Sequence, residues 1–176
     1  CLVLSMLQTY HPEFLTATIL EWKPLLAKDE YKLIILDSMK WLVENKRCSI
    51  YAFVIMPNHI HMLWKIADGY NREDVQGALF SFSGHAFKKS LKLKESELNS
   101  YRVNDADRTF QFWERNPMIK ECFTRNFFLQ KLDYIHQNPC QPKWELAELP
   151  EKYLWSSASF YELQDIHYSW LTHYNE

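Results

Sequence analysis

Two apolar runs separated by a two-residue turn constrain the fold of this chain more than any other feature. The first run, SIYAFVIM, ends at Met56, and the second, HIHMLWKI, begins at His59. Pro57 and Asn58 between them are residues typical of a turn. Continuous runs rich in β-branched and aromatic residues are typical of buried strands. The sequence therefore predicts a β-hairpin over residues 49–66.

Further elements are predicted on both sides of this hairpin. Apolar residues at three- and four-residue spacing predict amphipathic helices, and alternating or β-branched residues predict strands. The second helix is expected to bury Val75, Leu79, Phe82 and Ala86. The predicted elements are a strand over 13–22, a helix over 28–47, a helix over 71–94, a polar loop over 95–107, a strand over 108–115, a helix over 118–138 and a short helix after residue 150.

The order of these elements is β-α-β-β-α-β-α, in which strands and helices mix without strict alternation. Such an order indicates the α+β class. The expected architecture is a ferredoxin-like antiparallel sheet with helices packed mainly on one face. A length of 176 residues favours a single domain.

Composition indicates a reduced protein without a membrane span. The four cysteines, Cys1, Cys48, Cys122 and Cys140, include no CxxC pair, so a thiolate metal cage and a disulfide scaffold are not expected. No long apolar run free of charges occurs, and the first residues show no signal segment. The expected location is cytoplasmic.

The net charge of −2 does not indicate a nucleic-acid-binding protein, but the charge is distributed unevenly. Residues 88–144 carry a net charge of +4, and the remainder carries −6. A local phosphate-binding face and ordinary solvated helices both explain this excess.

His59 and His61 are two residues apart on the second strand of the hairpin. Side chains two apart on a strand point to the same face, so the two imidazoles lie side by side. Neutral imidazole is a ligand for divalent metals. A metal site is one interpretation, and two histidines with ordinary hydrogen bonds at a strand edge are the other.

The stretch YIHQNP places Tyr134 and Asn138 four residues apart at the end of a predicted helix, and therefore on one face. Asn138 offers a hard carbonyl oxygen that suits Mg²⁺ or Mn²⁺, and Tyr134 offers a phenol. The alternative is that Tyr134 packs in the core and Asn138 caps the helix.

Together these stretches resemble the HUH single-tyrosine transposases, and in particular the REP-associated tyrosine transposases. The matching segments run from about residue 13 to residue 161, in order and with matching spacing, and the whole chain would form one such domain, 1–176. They are YAFVIMPNHIHMLW, FKKSLK, RNPMIKECFTRNFFLQKLDYIHQNP and YLWSSASFY.

The resemblance implies a role for each matching residue. His59 and His61 correspond to the metal-binding pair, Tyr134 to the nucleophile, and Asn138 to the residue that completes a Mg²⁺ or Mn²⁺ site. The tyrosine of this family attacks single-stranded DNA, forms a 5′-phosphotyrosine and frees a 3′-OH for strand transfer. The expected partner is hairpin-containing single-stranded DNA, and the expected state is a monomer or a homodimer.

Contacts with DNA are less closely defined by the resemblance. Lys88 and Lys89 belong to a segment that the family uses close to DNA, although a solvated helix end explains them equally well. The other phosphate-binding candidates are Arg115, Lys120 and Arg125. A domesticated protein that nicks or binds hairpins, a catalytically silent single-stranded nucleic-acid binder, and a rolling-circle initiator or relaxase are the alternative functions.

Overall fold

The computed structural model describes residues 9–176, so Cys1 lies outside the described residues. Its centre is a four-stranded antiparallel sheet in the order β2-β3-β1-β4. The strands are β1 (Glu13–Thr18), β2 (Cys48–Ile55), β3 (His59–Ile66) and β4 (Met118–Glu121). The predicted hairpin is confirmed as β2 and β3.

Five α-helices accompany the sheet. They are α1 (Asp29–Glu44), α2 (Arg72–Leu91), α3 (Glu95–Asn99), α4 (Arg125–Gln137) and α5 (Ala158–Glu162). Apart from the short helices α3 and α5, the order is β-α-β-β-α-β-α, and the strand order is that of a ferredoxin-like sheet. The predicted α+β fold class is therefore confirmed.

Side-chain alternation along the strands creates two apolar layers, one on each face of the sheet. Leu15, Met62 and Trp64 point to the face that packs against α1 and α2. Phe14 and Leu63, which alternate with them, point to the opposite face, where α4 packs. The two longest helices thus share one face, and α4 packs across β2 and β3 on the other.

The prediction of a strand over residues 108–115 was wrong. The fourth strand is instead Met118–Glu121, which lies within the segment predicted as the third helix. Residues 108–115 form only isolated β-bridges and no continuous strand, because their aromatic side chains pack towards α2. The indole of Trp113 donates to Ser83 Oγ at 3.0 Å. Helix α4 begins at Arg125, after Thr124, whose hydroxyl accepts a hydrogen bond from the Phe127 amide.

Other details also differ from the prediction. Strand β1 ends at Thr18, and a 3-10 turn follows over Leu20–Trp22. The predicted loop 95–107 contains α3. Phe82 is exposed rather than buried, because the buried face of α2 runs through Ser83 and Phe87.

Residues that follow the 3-10 turn Pro150–Lys152 cover the outer edge of β2. The amide of Ile55 donates to Trp155 O at 2.8 Å, and the amide of Ser157 donates to Phe53 O at 3.0 Å. Both Ser157 and Trp155 belong to the YLWSSASFY segment, so this segment has a clear packing role. These hydrogen bonds occupy backbone groups at the end of the β2 edge, which are then not free to pair with another strand.

Cys48, Cys122 and Cys140 are free thiols. Among the helices of residues 9–176, none is long and apolar enough to cross a membrane.

Candidate active site

The two histidines of β3 lie side by side on the face of the sheet that α4 covers. In the antiparallel register, His59 is opposite Thr18 and His61 is opposite Thr16 of β1. The two ring centroids are 4.7 Å apart, with 75° between the ring planes. Both side chains are buried. The side-by-side placement that the two-residue spacing predicts is therefore observed.

Each imidazole has a hydrogen-bond partner at Nδ1. His59 Nδ1 lies 2.7 Å from Asn58 Oδ1, and His61 Nδ1 lies 2.8 Å from Thr16 Oγ1. An amide oxygen only accepts, so His59 Nδ1 donates and its Nε2 carries the lone pair. Metal-binding histidines are oriented by partners of this kind. Sequence reasoning missed Thr16 because cross-strand register is not visible in one sequence, and it recognised Asn58 only as a turn residue.

Three buried polar atoms in this region lack hydrogen-bond partners among the described residues: His61 Nε2, Asn138 Oδ1 and Trp144 Nε1. Asn138 follows α4 with helical backbone angles, so it continues the helix face that carries Tyr134. Its side chain is only 2% exposed. A buried polar atom without a partner is costly, and such atoms are commonly satisfied by an ion or a water molecule.

Burial keeps both imidazoles neutral near neutral pH. It lowers the pKa of His59 to about 4, and the positive charge of Lys143 acts in the same direction. Burial also lowers the pKa of His61 to about 3, with smaller contributions from His59, Lys131 and Lys143. A neutral imidazole has a free lone pair, which is the form that binds a metal.

The donor set fits a divalent cation only if an amide oxygen is included. Within residues 9–176, no three His, Cys, Asp or Glu side chains are clustered so that they could hold a metal. Two neutral imidazoles and the carbonyl oxygen of Asn138 would supply nitrogen and oxygen ligands of the types that Mn²⁺ and Mg²⁺ accept. The unpartnered His61 Nε2 and Asn138 Oδ1 are consistent with this assignment.

Tyr134 is the accessible tyrosine of this site. Its residue is 39% exposed, and its ring lies 5.3 Å from the His61 ring, centroid to centroid, within the same chain. Tyr153 and Tyr161 pack against β2 and donate their hydroxyls to Ile55 O and Tyr51 O, each at 2.7 Å. Burial also raises the pKa of both phenols. Tyr134 is therefore better placed as a nucleophile than either of them.

Lys131, one helical turn before Tyr134, is a residue that sequence reasoning missed. Its Nζ lies 4.9 Å from the ring centroid of Phe14, 5.1 Å from that of Phe127 and 5.4 Å from that of Tyr134. Between residues 9 and 176 it has no carboxylate partner within 4 Å. The three-residue spacing from Tyr134 is the signal that could have identified it.

Two tryptophans flank His59. The Trp22 ring lies 6.0 Å from the His59 ring and the Trp144 ring 5.6 Å, centroid to centroid. Trp22 is 60% exposed. Glu21 and Trp22 have φ values of 54° and 57°, a left-handed conformation that costs a residue other than glycine about 1–3 kcal/mol.

The cationic candidates from the sequence divide between the two faces. Lys120 is exposed opposite Phe14 on β4, and therefore on the face of the histidines. Arg125 begins α4 and donates to Asn175 Oδ1 at 2.8 Å. Lys88 and Lys89 lie on α2, in the layer on the other face. Arg115 forms an ion pair with Asp105.

No protein-family model and no curated protein matches this sequence. Among solved structures, the chain is similar to a REP-associated tyrosine transposase bound to a REP hairpin. The TM-score is 0.63 and the sequence identity 14%, over 94% of this chain and 85% of the other. The chain has the fold of that transposase.

A putative transposase from Deinococcus radiodurans R1 is a second similar structure, with a TM-score of 0.48 and 16% identity over 73% of this chain and 91% of the other. The tyrosine transposase fold that the sequence resemblance implies is thus confirmed by the first comparison.

The depressed histidine pKa values predict a loss of stability in acid. Because the folded state disfavours the protonated imidazoles, their contribution is present above the unfolded pKa of about 6.5 and is lost as the pH falls towards 4. Urea unfolding at pH 7 and pH 5 should show a smaller decrease in the double variant His59→Gln/His61→Gln than in the wild type. An equal decrease in both proteins would contradict neutral burial of the pair.

Proposed function

We propose that this protein is a metal-dependent DNA strand transferase that acts on single-stranded DNA through Tyr134. The observation that supports this most directly is the contact of an exposed phenol with His61, in a site where His61 Nε2 and Asn138 Oδ1 have no partner among residues 9–176. The shared fold with a tyrosine transposase supports the same reaction class.

In the proposed reaction, Tyr134 Oη attacks a backbone phosphorus of the DNA. The new bond joins the phenolic oxygen to the 5′-phosphate, and the bond from phosphorus to the 3′-oxygen breaks. The phenol loses its proton and the leaving 3′-oxygen gains one, so a free 3′-OH results. Attack by a 3′-OH on the phosphotyrosine reverses these steps and rejoins DNA without an external energy source.

His59, His61 and Asn138 would hold the divalent cation, Mg²⁺ or Mn²⁺. When bound, such a cation polarises phosphate oxygens and offsets the negative charge that develops during attack. Thr16 and Asn58 keep the two imidazoles oriented through their Nδ1 atoms. The chain thereby presents fixed nitrogen and oxygen donors next to the nucleophile.

Lys131 is proposed to bind the phosphate that Tyr134 attacks. Its ammonium lies against the Tyr134 ring and, among the described residues, is not engaged by a carboxylate. Lysine is a common point charge for phosphate recognition. A fixed positive charge beside the nucleophile stabilises the more negative transition state.

The proposed DNA is a single strand that contains a hairpin. The similar transposase is bound to a REP hairpin, and this supports the same class of partner here. Lys120 and Met118 are exposed on the face of the candidate site and could contact the strand near Tyr134. Lys88 and Lys89 remain candidates for contacts beyond the site. A mobile element and a domesticated hairpin-nicking protein would use the same residues.

The phenol of Tyr134 is predicted to be required for a covalent protein–DNA adduct. Tyr134→Phe removes one exposed hydroxyl, so the free energy of unfolding should change by no more than about 1 kcal/mol. Adduct formation is measured by denaturing gel electrophoresis with hairpin-containing single-stranded DNA and Mn²⁺. Tyr161→Phe, the control, should still form the adduct. An adduct that persists in Tyr134→Phe would identify a different nucleophile.

Asn138 is predicted to contribute to cation binding and not to the stability of the fold. Asn138→Leu replaces an unpartnered amide with an apolar group of similar shape, so the free energy of unfolding should fall by no more than about 1 kcal/mol, or rise. Adduct formation should decrease at least tenfold at limiting Mn²⁺. Unchanged dependence of the adduct rate on Mn²⁺ concentration would exclude Asn138 as a ligand.

Lys131 is predicted to accelerate the chemical step. Lys131→Met keeps the length of the side chain over the three rings and removes the charge, so the adduct rate at saturating DNA should fall about 10²-fold. Lys131→Arg should recover part of this rate. If the Met and Arg variants react equally fast, the charge at this position has no role in the reaction.

A further inference from the structure

We propose that Trp22 is a stacking platform for an unpaired base of the DNA strand that occupies the site. This inference rests on the proposed function and assigns a ligand to a residue outside the set of His59, His61, Tyr134 and Asn138. Its ligand class is a nucleobase whose face is free, as in single-stranded DNA.

The position and exposure of the indole are the first observation. Trp22 is 60% exposed, although large aromatic side chains usually bury most of their surface. It lies against the ring of His59, 6.0 Å between centroids and 64° between planes. A base stacked on the solvent side of this indole would be adjacent to the phosphate at the proposed cation site.

The backbone that holds the indole is the second observation. Glu21 and Trp22 are consecutive left-handed residues, and neither is glycine. Three hydrogen bonds maintain this turn: Glu21 N to Glu114 Oε1 at 2.6 Å, Trp22 N to Ile19 O at 2.9 Å, and Asn58 Nδ2 to Trp22 O at 3.4 Å. A strained conformation that surrounding contacts hold in place is typical of functional positions.

Asn58 connects the platform to the imidazoles. Its Nδ2 donates to the Trp22 carbonyl, and its Oδ1 accepts from His59 Nδ1 at 2.7 Å. The same side chain therefore fixes both the Trp22 backbone and the orientation of His59. The distance between a base on Trp22 and a phosphate at His59 is consequently set by one residue.

The chemistry of the surroundings favours a single strand over a duplex. A base presents its face to an indole only when it is outside a helical stack, and this contact is tolerant of sequence. Lys131, against the ring of Tyr134, and Lys143, against the ring of Trp144 beside His59, supply positive charges for neighbouring phosphates. Phosphate contacts on both sides of one stacked base would align the strand across the site.

The test measures equilibrium binding of a short unstructured DNA strand, without a divalent cation, in a Tyr134→Phe background that cannot form the adduct. Adding Trp22→Ala should weaken binding about 5- to 150-fold, the range expected for loss of one stacked base. Trp22→Phe should lose less. Trp41→Ala is the matched control, because Trp41 is an exposed tryptophan on α1, on the other face of the sheet. It should bind like the parent.

A second variant, Trp22→Gly, distinguishes the effect of losing the indole ring from the effect of the strained backbone. Trp22→Gly relieves the left-handed strain, so it should unfold at a higher temperature than Trp22→Ala while binding DNA equally weakly. Parent-like binding by Trp22→Ala or Trp22→Gly would overturn the platform and leave the proposed function standing. Absence of single-strand binding in the parent would overturn both.

Discussion

The pairing register between β1 and β3 determines which residues meet in the candidate site. It sets Thr16 opposite His61 and turns both towards α4. A shift of one residue would send the imidazoles into the layer beneath α1 and α2 and bring Ile60 and Met62 to the site. Burial of Ile60 and Met62 against those helices opposes such a shift. The same core that holds the sheet together therefore fixes the neighbours of the two histidines.

Several local features of the site reduce stability. Two imidazoles are buried in their neutral form, an amide oxygen lies buried without a partner among residues 9–176, and two consecutive residues adopt a left-handed conformation. None of these features is needed to build a ferredoxin-like sheet. Proteins tend to keep such local conflicts where a ligand or a reaction requires them. Around His59 and His61 these three kinds of feature occur together.

The hairpin, and the placement of His59 and His61 on the same face of the sheet, could be predicted because strand periodicity and the Pro57–Asn58 turn are local signals. The prediction failed at β4, because Met118–Glu121 is short and runs directly into a helical pattern, and its strand character comes from pairing with β1. It failed for residues 108–115 because their aromatic residues alternate as in a strand but pack on α2. Thr16 and Trp22 could not be found from the sequence, since their importance depends on cross-strand register and on the backbone turn after β1. Asn58 was recognised only as a turn residue, although it directly precedes His59. Lys131 could have been identified from the sequence, because it lies one helical turn before Tyr134 on the same helix.

The position of Tyr134 along α4 has an electrostatic consequence. Helix α4 ends at Gln137, so the phenol stands in the last turn, where the aligned peptide dipoles sum to roughly half a negative charge. A phosphate that approaches this end of the helix is repelled by the backbone itself. Asn138 lies at the same end of the helix, where the potential is negative. Its side-chain amide oxygen can therefore attract a cation, although the side chain has no formal charge. The proposed nucleophile thus stands where an anion is disfavoured and a positive charge is favoured, and the positive charge of Lys131 lies one turn nearer the middle of the same helix.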